Sequence, residues 1–135
     1  MTETSTRGLW ILRILSAVLL LAAGAIHLYL VFNGVGGILG VMFVLNGIAG
    51  IVLAVGMVAT RGRLLQLTTV LGLLFLLASL AALLLALTVG LFGITETWDF
   101  TLVPQTVVIE SIGIVVLAVT TYLVLRASRG RRCSW

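Results

Sequence analysis

The chain has 135 residues, of which 61% are hydrophobic and 9% are charged, and its mean hydropathy is +1.32. Its formal net charge is +4, and all eight basic residues are arginine. A soluble domain of this size leaves much of its surface in water and cannot bury so large an apolar fraction. The composition therefore indicates a chain whose solvent is lipid, and the length allows a single domain, residues 1–135.

Four apolar runs are each long enough to cross a bilayer, which takes about 20 helical residues. Backbone amides in hydrocarbon must be paired within the segment, and no alternating strand pattern appears, so the runs predict helices. The predicted helices cover about residues 10–32, 38–60, 64–91 and 104–125. The expected fold class is therefore all-α, a four-transmembrane-helix bundle.

The first run has an alternative interpretation. Ala23-Gly24-Ala25 has the spacing of a signal-peptidase site and follows an apolar stretch. Cleavage there would leave three spans, and mass spectrometry of the mature N-terminus would reveal it. We expect four spans, because the apolar run continues to Phe32 and is longer than a typical signal core.

The arginines indicate the orientation of the four spans. With an even number of spans, all eight arginines fall on one side, whereas the connection 93–103 carries Glu96, Asp99 and no basic residue. The positive-inside rule then predicts a multi-pass protein of the cytoplasmic membrane with both termini in the cytoplasm. Residues 126–135 are expected to form a basic cytoplasmic tail. Its arginines should contact anionic lipid head groups; they are Arg126, Arg129, Arg131 and Arg132.

Small residues recur on one face of the second and third predicted helices. Lipid supplies no hydrophobic drive between helices, so such faces allow the close backbone approach that holds a bundle together. We expect these two antiparallel neighbours to present the faces to each other; an inverted repeat is the alternative. The expected helix-packing residues are Gly36, Gly40, Gly47, Gly50, Gly72 and Ser79.

Two ionisable side chains, His27 and Glu110, lie within the predicted spans. Such residues are costly in a membrane and are candidates for function. Their depths below the outer helix ends match, so an imidazole–carboxylate pair that exchanges protons with the outer side is possible. A structural hydrogen bond between helices is the alternative for both, and the expected role for His27. Asn46, Thr88 and Thr106 complete the candidate intramembrane polar site.

No cofactor, metal or nucleic acid is expected. Cys133 is the only cysteine, so an internal disulfide or a CxxC pair is excluded. A single histidine per chain does not provide bis-histidine haem ligation, and His27 with Glu110 supplies too few metal ligands. The chain has no Walker, Rossmann or nucleophile motif and no folded nucleic-acid reader. We therefore expect a protein that is not an enzyme.

Four segments resemble small four-span membrane proteins common in actinobacteria: IHLYL, GVMFVLN, GLFGITE and VVIESIG. The resemblance covers most of the chain, places His27 and Glu110 within recognisable blocks, and implies no particular activity.

Three functions of different classes are compatible with these observations. The first is an accessory membrane subunit that forms homo-oligomers or binds a larger membrane partner, which the small-residue faces and the scarcity of polar groups favour. The alternative is a proton-coupled transporter or channel for small solutes or ions that uses Glu110 and His27. A haem or quinone protein is a third possibility, and an absorption spectrum without a Soret band would exclude haem.

Overall fold

The computed structural model describes the backbone of residues 3–91, 93–100 and 102–132 and the side chains of residues 6–91, 93–100 and 102–130. The described chain forms four helices: α1 (Glu3–Phe32), α2 (Gly37–Ala59), α3 (Gly62–Thr88) and α4 (Val103–Arg132). Each contains a segment long and apolar enough to cross a membrane. The predicted all-α class with four candidate spans is therefore confirmed.

Two helices extend beyond the predicted spans, in segments near the chain termini that contain arginines. α1 begins at Glu3 instead of residue 10, and α4 continues to Arg132 instead of ending at residue 125. The basic tail predicted for residues 126–135 is therefore helical as far as Arg132, and Cys133 lies outside the described residues. Hydropathy marks only the apolar part of a helix, whereas Arg, Ala and Ser permit the helix to continue past it.

α3 ends at Thr88, before the predicted limit at residue 91. Gly90 adopts φ +92°, and its amide donates to the carbonyl of Leu85 at 2.8 Å. This left-handed position just after a helix favours glycine, because a side chain there is strained.

The four helices run alternately up and down. Arg13 in α1 donates to the carbonyl of Thr60, which follows α2, at 2.7 Å. Gln66 near the start of α3 donates to Ser128 near the end of α4 at 2.8 Å. We call the end of the bundle where these contacts lie the arginine end, and the opposite end, with the connections 33–36 and 89–102, the loop end.

Arg13 has a role that the sequence analysis did not anticipate. Its side chain is only 5% exposed. Its Nε donates to the carbonyl of Met57 and its Nη2 to that of Thr60, each at 2.7 Å, while the guanidinium lies 4.2 Å from the ring centroid of Trp10. The last carbonyls of a helix lack intrahelical partners and carry partial negative charge. Arg13 therefore caps α2 and holds it against α1.

α1 and α2 approach each other through glycines. A Cβ at Gly50 would lie 2.9 Å from the carbonyl oxygen of Leu20 and 3.1 Å from the Cα of Gly24. A Cβ at Gly24 would in turn lie 3.1 Å from the carbonyl oxygen of Gly47. Only hydrogen side chains allow the two backbones to come this close.

The expected packing of α2 against α3 through small residues is not observed. Gly47 and Gly50 contact α1, and Gly72 contacts leucines of α1 and α4, whereas α2 and α3 have the least extensive interface of the four neighbouring pairs. Gly40 faces the backbone of Val35, and a Cβ at Gly36 would meet no atom within 4 Å. The small-residue pattern correctly identified the packing face of α2 but not the helix that packs against it. α1 has a glycine, Gly24, at the same depth as Gly47 and Gly50.

The largest fully buried apolar side chains lie in the middle of the bundle and toward its arginine end. They are Leu20, Met57, Leu76 and Leu117, one from each helix. The outward faces carry exposed aliphatic side chains, such as Leu45 at 62% and Val115 at 64%. Such a surface suits lipid and not water. The bundle is thus closed in its arginine-end half, and its polar groups of interest lie toward the loop end.

Candidate functional site

A cavity of about 120 Å³ lies in the loop-end half of the bundle, and all four helices and the α3–α4 connection line it. Most of its wall is apolar. Its polar lining residues are His27, Asn46, Ser79, Glu96, Thr106 and Glu110. An apolar cavity of about 150 Å³ holds benzene, so this somewhat smaller space accommodates a molecule of at most about that size.

Glu110 is the centre of the polar lining. Its side chain is fully buried, at 0% exposure. The Ser79 hydroxyl donates to Glu110 Oε1 at 2.5 Å, and Asn46 Nδ2 donates to the Ser79 hydroxyl at 3.4 Å. One chain of hydrogen bonds therefore joins α2, α3 and α4.

Two buried side-chain oxygens of this hydrogen-bonded group have no partner among the described residues. They are Oε2 of Glu110 and Oδ1 of Asn46, and both are buried. Buried polar atoms in proteins are almost always paired, because an unpaired one costs free energy. These two oxygens are thus acceptors that remain available beside the cavity.

His27 is held by its own helix. Its Nδ1 lies 2.7 Å from the carbonyl oxygen of Ala23. Since a carbonyl only accepts, Nδ1 carries the proton, and Nε2 of the neutral ring is an acceptor. The ring meets Phe43 edge to face, with centroids 5.0 Å apart and an angle of 85° between the planes.

His27 and Glu110 line the same cavity, as their matched depths suggested, but they form no hydrogen bond or ion pair with each other. Each side chain instead forms a hydrogen bond with another group: the imidazole with the carbonyl of Ala23 and the carboxyl group with the hydroxyl of Ser79. The direct pair that the sequence allowed is therefore not formed, and the two groups share a cavity.

The candidate threonines differ in position. Thr106 is buried, lines the cavity and donates to the carbonyl of Leu102 at 2.6 Å. Thr88 is exposed and donates to the carbonyl of Leu84 at 2.7 Å, so its assignment to the polar site is wrong. Thr88 follows Ser79 by about two and a half helical turns and thus lies on the opposite face of α3.

Ser79 was expected only in helix packing, and Glu96 was not expected in the site. Ser79 connects Asn46 to Glu110. Glu96 reaches the cavity because its backbone amide donates to the carbonyl of Ala86 at 2.8 Å, which folds the connection back over α3. Ser79 could have been identified from the sequence as a polar residue at the same depth as polar residues on neighbouring helices. No feature of the sequence indicated that the connection would bring Glu96 to the cavity.

Arg126 and Arg129 are exposed at the arginine end, as lipid head-group contact requires. The side chains of Arg131 and Arg132 lie outside the described residues. Contact with anionic lipid stays a prediction for all four.

Within the described ranges 3–91, 93–100 and 102–132, no group of three or more His, Cys, Asp or Glu residues is arranged to hold a metal ion. The cavity instead combines apolar walls with available acceptor atoms.

Comparison of the chain with family models, curated proteins and solved structures gave no match.

Proposed function

We propose that the protein is a small, non-enzymatic protein of the cytoplasmic membrane that binds a small solute in the loop-end cavity and couples its transport to protons through Glu110 and His27. The observation that carries the proposal is the pair of buried, unpartnered oxygens, Glu110 Oε2 and Asn46 Oδ1, beside a cavity that every helix lines. A purely structural contact gains most when all its buried polar atoms are paired. Unpartnered acceptors in a cavity favour a ligand site.

Transport is favoured over self-association as an accessory subunit. Self-association was motivated by small-residue faces on the second and third helices. Gly47, Gly50 and Gly72 contact other helices of the same chain, so they support the fold of one protomer and offer no face to a second copy.

A transport cycle requires the closed half of the bundle to open. The side chains of Leu20, Leu76 and Leu117 fill the centre between the cavity and the arginine end. The α1–α2 and α3–α4 pairs have the two most extensive interfaces, so a movement that keeps each pair together preserves most of the packing. Movement of the α1–α2 pair against the α3–α4 pair is therefore the rearrangement that we expect.

Proton-coupled flux tests this function. Proteoliposomes loaded with a pH-sensitive dye receive outward or inward gradients of an ammonium, a hydroxyl or a carboxylate solute. At least one class should move protons through the wild-type protein, and Glu110→Gln should lower that rate by about tenfold or more. The glutamine keeps an oxygen that can accept the hydrogen bond from Ser79, but it can no longer gain or lose a proton.

Thr88→Val, which alters an exposed hydroxyl of α3, is the matched control and should transport like the wild type. Equal rates for wild type, Glu110→Gln and empty liposomes with all three solutes would contradict the proposed function.

The proposed orientation places both termini in the cytoplasm. Its support is that the six described arginine side chains belong to the arginine end, while Glu96 and Asp99 belong to the connection at the loop end.

Cysteine labelling in intact cells tests the orientation. Cys133 is the only cysteine, so a membrane-impermeant maleimide should label the wild type only after the cells are permeabilised. A Thr97→Cys, Cys133→Ser variant, with its cysteine in the exposed part of the connection, should be labelled without permeabilisation. The reverse pattern would overturn the orientation.

A further inference from the structure

We infer that the ligand of the cavity is a small organic cation, a primary or secondary ammonium that carries one apolar group no larger than a benzene ring. The inference rests on the proposed role of the cavity as a solute site and specifies its ligand. It follows from the hydrogen-bond groups, the charges and the walls that surround Glu110.

Nearly all hydrogen-bond donors in the cavity wall are already used within the protein. The Ser79 hydroxyl donates to Glu110, His27 Nδ1 to Ala23, and the Thr106 hydroxyl to Leu102. Asn46 gives one of its two amide hydrogens to Ser79. The amide of Asn46 is thus left with a single N–H to offer a ligand.

The acceptors, in contrast, remain available. Glu110 Oε2 and Asn46 Oδ1 are buried without a partner among the described residues. Oε2 accepts when Glu110 is ionised, and Nε2 of His27 accepts when the ring is neutral. A ligand that satisfies this lining must donate several hydrogen bonds. A protonated primary or secondary amine does so, whereas a carboxylate or an ether cannot.

The charges around Glu110 point the same way. From α1 the ionisable group lining the cavity is His27, from the α3–α4 connection it is Glu96, and α2 and α3 contribute none. The described arginine side chains belong to the opposite end of the bundle, and Glu110 forms no ion pair with any described residue. A buried carboxylate without a counter-ion is costly. A bound cation supplies that counter-ion, and an anion would instead meet two acidic groups.

The walls determine the rest of the ligand. They include aliphatic side chains, such as Leu30 and Leu83, and the aromatic rings of Phe43 and Phe100, which favour an apolar group and attract cations. A bare metal cation is disfavoured, because hard cations require about six oxygen ligands. The volume of about 120 Å³ limits the apolar part to roughly one ring.

Calorimetry with three ligands of nearly equal shape tests the inference. Benzylammonium, benzyl alcohol and benzoate are titrated into the protein in lipid nanodiscs, and empty nanodiscs correct for partition into lipid. Wild type should bind benzylammonium about thirtyfold or more tightly than benzoate, and Glu110→Gln should weaken benzylammonium binding by a similar factor while leaving benzyl alcohol unchanged.

Two neighbouring alanines of α3 provide a matched pair. Ala82 lines the cavity and Ala81 is exposed on the outer face. Ala82→Phe should abolish binding by filling the cavity, and Ala81→Phe should bind like the wild type. Size-exclusion chromatography shows whether each variant is folded, and Glu110→Gln remains an independent test if Ala82→Phe is not.

The outcomes separate this inference from the proposed function. One outcome is that benzoate or benzyl alcohol binds as tightly as benzylammonium and that Ala82→Phe abolishes this binding. That outcome would overturn the assignment of the ligand as a cation but would still support a solute site in the cavity. Saturable benzylammonium binding that Glu110→Gln weakens, without proton flux in the wild type, would support the cation site and overturn transport. Binding of none of the three above empty nanodiscs would overturn the cation site and count against the solute site.

Discussion

Replacing Gly50 by alanine is expected to destabilise the bundle by about 2–3 kcal/mol, because the added Cβ meets backbone that cannot rotate away. That Cβ would lie 2.9 Å from the carbonyl oxygen of Leu20 and 3.1 Å from the Cα of Gly24. α1 and α2 must therefore move apart, which also weakens the contacts of the other glycines between them. Denaturant unfolding in detergent micelles, followed by circular dichroism, measures the loss.

Two other glycines make the comparison specific. A Cβ at Gly47 would clash with the side chain of Leu28, which can change rotamer, so Gly47→Ala should cost less than Gly50→Ala. A Cβ at Gly8 would meet nothing within 4 Å, so Gly8→Ala should be neutral or slightly stabilising. Unfolding of Gly50→Ala at the same denaturant concentration as Gly8→Ala would show that α1 and α2 are not packed as described.

Replacing Arg13 by methionine is expected to cost about 3 kcal/mol. Methionine retains much of the apolar stem but removes both donors, which leaves the carbonyls of Met57 and Thr60 without the bonds of 2.7 Å that each now accepts. The favourable interaction of a cation with the C-terminus of α2 is lost as well. Arg13→Lys should lie between wild type and Arg13→Met, since an ammonium retains the charge but not the planar fork.

Arg7→Met is the matched control for Arg13. Arg7 belongs to the same helix and the same end of the bundle, but its side chain is exposed. Both variants lose one positive charge, so an effect on membrane orientation would appear in both. The same micelle unfolding experiment should show a clear loss for Arg13→Met only, and equal losses would refute the capping role.

The intramembrane site was predictable in part. Because charged and polar side chains are rare in apolar spans, His27, Asn46, Thr106 and Glu110 stood out, and the structure places all four around one cavity. Their partners were not predictable, since hydrogen bonds depend on rotamers and on which helices are neighbours. Thr88 was assigned wrongly because depth alone does not determine the face of a helix.

The four apolar helices, each long enough to span a membrane, were predictable from the sequence, because hydropathy, length and the need to pair backbone amides in lipid are local properties. The three-dimensional arrangement was needed to show that α1 packs on α2 through Gly24 and Gly50. It also showed that Arg13 caps α2 and that Ser79 joins Asn46 to Glu110. In lipid, apolar faces do not select their neighbours by hydrophobicity. The arrangement of helices therefore depends on the close fit of glycines and a few hydrogen bonds, which form only between segments distant in the chain.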